Sequence, residues 1–377
     1  MSSATAFYPQ HFRNTRPYLK SFLVGLGELI ESKTMNPRTC HELSGRHIMD
    51  AYNGEGAGVR TPKFNTQAFT VENQAALMYG QWTHEGGALF SFKPELTEAL
   101  RATGLADISI NELHFPFDCG YFHFGPQSGL TLQSGARVTG AFVMWVPGSA
   151  LRLMLTAPLP EGTPLVGRWA EVYDLRILAR HFDKNIEEAI AFALADDIED
   201  IRQAARTLEK AAGPVAAGSP TAMLAAGSTA ATHLFLEAHS ANKETLAQCF
   251  QLIANALCYL TAFPEDSLLT WQENTPEKLR QKADAAPGKE SARALSKLNA
   301  MGYRKVQDVG GEFSKAVQSP GASQVSPHWR RGHWRSQAHG PQMSLRKLIW
   351  LRPTRVLGAS TSEEPRVYAT EKPQKKS

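Results

Sequence analysis

Cysteine is scarce and scattered. The four present, Cys40, Cys119, Cys249 and Cys258, form no CxxC pair. They offer neither a disulfide framework nor zinc-site spacing, and read as small apolar side chains in a reducing compartment. No apolar run reaches the roughly 18 residues that span a bilayer. Met1–Lys20 carries charges where a signal peptide would have its apolar core. A cytoplasmic protein without a membrane partner is expected. Nucleotide and hydrolase signatures are missing as well. Gly54-Glu55-Gly56-Ala57-Gly58 lacks the Lys-Ser/Thr of a phosphate loop, and there is no GxSxG or HExxH. Asp196, Asp197, Glu199 and Asp200 are too close in sequence to converge from one helix, so they read as a solvated face. His328, His333 and His339 are spaced five and six apart with no Cys or carboxylate nearby. No metal and no cofactor are expected, and no catalytic residue is assigned.

What is present is an ordinary globular composition with an uneven charge. Hydrophobic residues make up 42% and charged residues 20% of 377, enough for a sizeable core and about two or three folding units. From Gly321 onward 11 Lys and Arg face 3 Asp and Glu, against 29 and 33 in the rest. A faintly acidic body with a basic end engages an anionic surface from that end only.

The pattern predicts an α+β fold. Apolar residues at helical spacing mark Tyr18–Ser32 and Glu72–Phe90, and the Gly/Asn/Pro-rich stretch between them reads as loop. The period then changes. His114–Phe124, Ala136–Val146 and Ala150–Thr156, with Pro147-Gly148 as a turn, predict an antiparallel sheet, continued by Leu165–Tyr173. Asn185 caps a long amphipathic helix through Ala211, with Glu187 and Glu188 in its first turn. Gly213–Gly227 reads as a connector, Lys243–Ala262 as an apolar-faced helix, Thr275-Pro276 as the next helix start, and Glu290–Met301 as a further helix. Ser314–Val325 reads as a linker. The expected units are an N-terminal helical and antiparallel-sheet region (1–173), a helical region (174–313), a basic, Trp-rich C-terminal β-hairpin module (314–358) and a disordered tail (359–377).

The hairpin module carries the chemistry. Val325–Ser336 and Leu345–Val356 are strand-like, and Gly340-Pro341 turns the chain between them. Within Pro327–Arg335 lie four rings (His328, Trp329, His333, Trp334) and three guanidiniums (Arg330, Arg331, Arg335). On a strand, Arg331, His333 and Arg335 share one face and Arg330 and Trp334 the other. Gly332 permits a close approach by a ring or a backbone. Arg346, Lys347, Arg352 and Arg355 add to the same positive field. Interleaved cations and aromatics suit single-stranded nucleic acid or an acidic peptide; alternatively the Trp residues plug the core and the Arg residues pair with the acidic body. A ribonuclease using His333 as a base would need a second titratable group placed beside it. The binding residues assigned are His328, Arg330, Arg331, Gly332, His333, Trp334, Arg335, Trp350 and Arg352.

This segment resembles the second family of type V-A anti-CRISPR proteins and their relatives on phages, plasmids and other bacterial mobile elements. The shared form is P-H-x-R-R-G-H-W, then a polar turn, then a strand with a central Trp and a following Pro. It falls on Pro327, His328, Arg330, Arg331, Gly332, His333 and Trp334, then Trp350 and Pro353. A second match lies at Leu77-Met78-Tyr79-Gly80-Gln81-Trp82 and Phe117-Asp118-Cys119-Gly120-Tyr121. The resemblance covers most of 70–356, leaving out the Ala/Gly connector and the tail after Gly358. It implies a non-enzymatic inhibitor of host defence that recognises the nascent N-terminal peptide of a CRISPR nuclease and lowers its production; the basic module would then contact RNA, ribosome or an acidic protein surface. A nucleic-acid-binding protein or ribonuclease of a phage or plasmid is the alternative.

Overall fold

The computed structural model describes residues 7–55, 66–158, 172–212, 220–318, 328–330 and 332–356. It is α+β, built on a seven-stranded sheet. Strands β1 (Ala88–Phe92), β3 (Cys119–His123), β4 (Gly140–Val146), β5 (Ala150–Thr156), β6 (Val172–Leu178), β7 (Ser267–Trp271) and β8 (Lys305–Val309) lie in the order β6-β5-β4-β3-β1-β8-β7. The run β3 to β5 is the predicted antiparallel meander, with Gly148 (φ +67) turning the β4–β5 hairpin; β6 continues it antiparallel at Val172–Leu178, later than the expected Leu165–Tyr173, of which 165–171 lie outside the described residues. The sequence reading ended the sheet there. The structure adds β1, parallel to both β3 and β8, and the antiparallel edge strand β7.

Each face of the sheet has its own core. Helices α1 (Tyr8–Asn14), α2 (Leu19–Glu31), α3 (Pro37–Glu55) and α4 (Thr66–His84) supply one. There Tyr8, Phe12, Phe22, Tyr79 and Trp82 meet Leu89, Tyr121, Phe142 and Met154 of the strands. Arg16, 1% exposed, is held by Glu72 through two hydrogen bonds of 2.8 and 3.1 Å, and the Tyr18 hydroxyl donates to the same carboxylate at 2.5 Å. The other face packs against α5 (Pro94–Arg101), α6 (Ile186–Ala212) and α7 (Pro220–Ala262). Asn185 caps α6 as expected, its side-chain oxygen accepting the Glu188 N–H at 2.9 Å.

Several boundaries differ from the sequence reading. The predicted loop between the first two helices contains α3, which places Ile48 in the core and packs Leu43 against it. The helix expected to reach Phe90 stops at His84, because Gly86 and Gly87 both take positive φ and turn the chain into β1. Part of the Gly213–Gly227 connector is helical from Pro220, where Pro suits a first turn and an Ala-rich stretch propagates it; 213–219 lie outside the described residues. Helix α8 (Glu277–Asp284) starts one residue later than read, with Pro276 at the cap position, and α9 (Lys289–Ala300) closes the predicted pair. The start of the predicted linker is α10 (Gly311–Gln318). Its first N–H groups, those of Glu312 and Phe313, donate to the Asp266 carboxylate at 2.8 and 3.2 Å, a cap supplied from far upstream. Residues 319–327 and the tail beyond 356 lie outside the described residues.

Candidate functional site

The C-terminal hairpin forms as predicted. Strand β10 (Gly332–His339) pairs antiparallel with β11 (Leu345–Leu351), and β9 (His328–Arg330) with β12 (Thr354–Val356). The turn between β10 and β11 uses Gly340 (φ +77). A two-residue strand, β2 (Thr103–Gly104), joins the other side of β10 in parallel, and the Gly332 N–H donates to the Ala102 carbonyl at 2.9 Å. The sheet order is β11-β10-β2, so the module is fastened to the end of α5 by backbone pairing.

The period of two splits the hairpin into two faces. Exposure alternates along β10: Gly332 and Trp334 are buried, and His333, Arg335, Gln337 and His339 are exposed. On the inner face the rings of Trp334 (0% exposed) and Trp350 (6%) stack 5.5 Å apart at 13°. Tyr259, Phe263 and Phe313 complete an aromatic cluster around Trp350. Both indoles find polar partners. Trp334 Nε1 donates to Asn255 Oδ1 at 2.8 Å, and Trp350 Nε1 donates to Thr103 Oγ1 at 3.3 Å. The Asn255 amide donates in turn to the Leu100 and Thr103 carbonyls, each at 2.9 Å. A fully satisfied buried polar network of this kind fixes one orientation of the packed parts.

Gly332 has a geometric reason. A Cβ at that position would sit 2.6 Å from Pro353 Cδ and 2.9 Å from the Leu351 carbonyl oxygen. The Gly of the first strand and the Pro after the second therefore occupy one close contact, the approach by a ring that the sequence suggested.

The assigned residues thus separate. Gly332, Trp334 and Trp350 are interior and hold the module to the body, leaving no Trp334 or Trp350 ring face for stacking on a partner. His333 and Arg335 point outward. The register neighbours of His333 are Leu351 and Gly104, neither of which titrates. Arg352 is exposed, with its guanidinium 5.7–5.9 Å from the ring centroids of Phe263, Phe313 and Trp350. His328 and Arg330 lie on β9, opposite Val356 and Thr354. Arg331 lies outside the described residues.

Charge on the outer face is uncompensated. No carboxylate occurs between Glu312 and Glu363. Arg335, Lys347 and Arg352 form no ion pair among the described residues. One contact to the body involves Glu112. Burial pushes its carboxyl up, but hydrogen bonds from Ser336 and Ser109 and the charge of Arg346 outweigh this and hold it below the ordinary range. Sequence reasoning missed Asn255 and Thr103, although a lone Asn inside the apolar run Leu252–Tyr259 was a readable signal.

Elsewhere the acidic cluster on α6 is tied up in ion pairs: Asp196 with Arg180 and His181, Asp200 with Arg176, Glu199 with Arg202 and Arg206. Among the described residues no three His, Cys, Asp or Glu side chains converge, and no helix is long and apolar enough to cross a membrane. All four cysteines are free; burial pushes the Cys249 thiol up to about 12 and those of Cys119 and Cys258 higher still.

Comparison with known proteins bears on the same segment. The model of the anti-CRISPR type V subtype A2 family matches residues 90–358, a span that contains the whole module. Among solved structures, the crystal structure of AcrVA2 aligns over 92% of this chain and 97% of its own length, with 12% identity and a TM-score of 0.44. No curated protein matches.

Proposed function

Because this chain belongs to the anti-CRISPR type V subtype A2 family, we propose that it inhibits a host CRISPR system by binding a polypeptide, the nascent N-terminus of a type V-A nuclease, and lowering its production. The family match carries this reading. Two features of the module support a polypeptide as the partner. Trp334 and Trp350 are buried, which withdraws these two indoles from stacking on single-stranded nucleic acid. The outer face instead offers cations free of carboxylate partners, interleaved with Leu345, Ile349 and Leu351, a mixture suited to a protein surface.

The test is a translating bacterial lysate programmed with the nuclease message. One message carries the natural start region, a second is recoded with synonymous codons, and a third is frameshifted there so that the peptide changes and most of the RNA does not. The first two should lose product and message when the protein is added, and the third should be spared. Loss that follows the nucleotide sequence would overturn the reading in favour of RNA recognition.

A further inference from the structure

Strand β11 has a partner on one side only. Among the described residues it pairs with β10 and ends the three-stranded sheet, leaving the main-chain groups of Leu345–Leu351 on its other side without a strand partner. An edge of this kind is a template for another strand, and natural edges are commonly blunted by charge, Pro or bulges. Here the only blunting is positive. Arg346 and Lys347 sit on the strand, Arg335 is on its neighbour, and no acid lies anywhere between Glu312 and Glu363. Positive charge on this edge repels a second copy of itself and spares an acidic strand. The exposed side of β11 reads Leu345, Lys347, Ile349, Leu351, an aliphatic row interrupted by one cation, and Leu345 and Leu351 are 53% and 44% exposed. The edge is also rigid. Trp334 and Trp350, clamped by Asn255 and Thr103, hold the hairpin in one position, which lowers the ordering cost of adding a strand.

We propose that the protein binds its target as an added β-strand along β11, and that the bound segment is extended, with aliphatic residues flanking an acidic one on the face that meets Lys347. Backbone hydrogen bonds supply affinity, while Lys347, with Arg335 behind it, selects the carboxylate. This rests on the proposed polypeptide target and names where and how it is read.

The experiment uses the full chain and fluorescence anisotropy. The probe is a short capped peptide alternating Thr with Val and Glu. Comparison probes replace Glu by Lys, N-methylate alternate amides, or substitute an oligouridylate of equal charge. Saturable binding of the acidic peptide is expected, at least tenfold weaker for the Lys and N-methylated peptides. The double variant Lys347→Glu, Arg335→Glu should lose at least tenfold for the acidic peptide and gain for the Lys peptide. Its unfolding midpoint should match the parent, since neither side chain forms an ion pair. Equal binding of the N-methylated peptide, tighter binding of the oligouridylate, an unaffected double variant, or no binding of the acidic peptide would each overturn the strand-addition proposal. The lysate assay reads the polypeptide target independently: a double variant that still suppresses the nuclease would retain that function and refute this site.

Discussion

Arg16 and Arg335 are the same residue in opposite circumstances. Arg16 is 1% exposed, gripped by Glu72 from two directions and lying 4.2 Å over the Phe12 ring. Arg335 is exposed on a strand without a single carboxylate, and it forms no ion pair among the described residues. At the N-terminal helices this buried pair helps fix how α1 and α2 meet α4. The C-terminal module uses indoles and one asparagine for that purpose, and this leaves its cations on the surface. A cation near a chain terminus therefore has no fixed meaning; its counter-ion decides.

The contrast is testable at each step. The largest effect is expected at the anchor. Trp334→Ala should cost about 4–5 kcal/mol, the upper end for a buried aromatic, because it also leaves Asn255 Oδ1 without its donor. A loss below about 1 kcal/mol in denaturant unfolding would mean the module is not docked. Next, Glu72→Leu should cost about 3–4 kcal/mol by stranding the Arg16 charge in the interior, while peptide binding by the correctly folded fraction stays unchanged.

His123 gives a pH signature. Burial lowers its pKa to about 4, and its Nδ1 has no hydrogen-bond partner. The unfolded chain takes up this proton near pH 6.5, before the folded one does. Its contribution is thus complete above pH 6.5 and is lost as the pH falls toward 4, by about 3 kcal/mol in all. Unfolding of the parent and of His123→Phe across that window checks it: the variant should show a shallower slope. Gly332→Ala should cost about 1–3 kcal/mol, since its Cβ meets the Pro353 ring. The smallest effect belongs to Arg335→Ala with Lys347→Ala, which should leave the unfolding midpoint unmoved. A clear loss there would show hidden partners and erase the contrast with Arg16.

The sequence revealed what is local. The β3–β5 meander showed itself by alternation with turn residues between, and the inward-facing Trp334 and outward-facing Arg335 follow from the same period of two. What escaped depends on distant chain. Strand β8 (Lys305–Val309) has only two valines and becomes a strand because β1 and β7 flank it. Helix α3 is a mixed sequence held against its neighbours by Cys40, Leu43, Ile48 and Ala51. Helix α10 reads as linker until Asp266 supplies its cap. At the candidate site the indole partners Asn255 and Thr103 belong to other elements, and although the lone Asn in an apolar run stood out, its pairing with Trp334 is set by distant chain.

The position of β1 bears on how the molecule is made. Its Phe92 pairs with Val309, so one side of this interior strand has no neighbour until more than 200 further residues have been synthesised. At a bacterial elongation rate of about 5–20 residues per second, that wait lasts roughly 10–40 s. Loop-closure entropy opposes the pairing further once it becomes available. During this interval Leu89, Phe90 and Phe92 present an open parallel edge, and a ribosome that stalls before β8 releases a chain prone to aggregate. Maturation of the protein is thus subject to a delay set by its own sheet order.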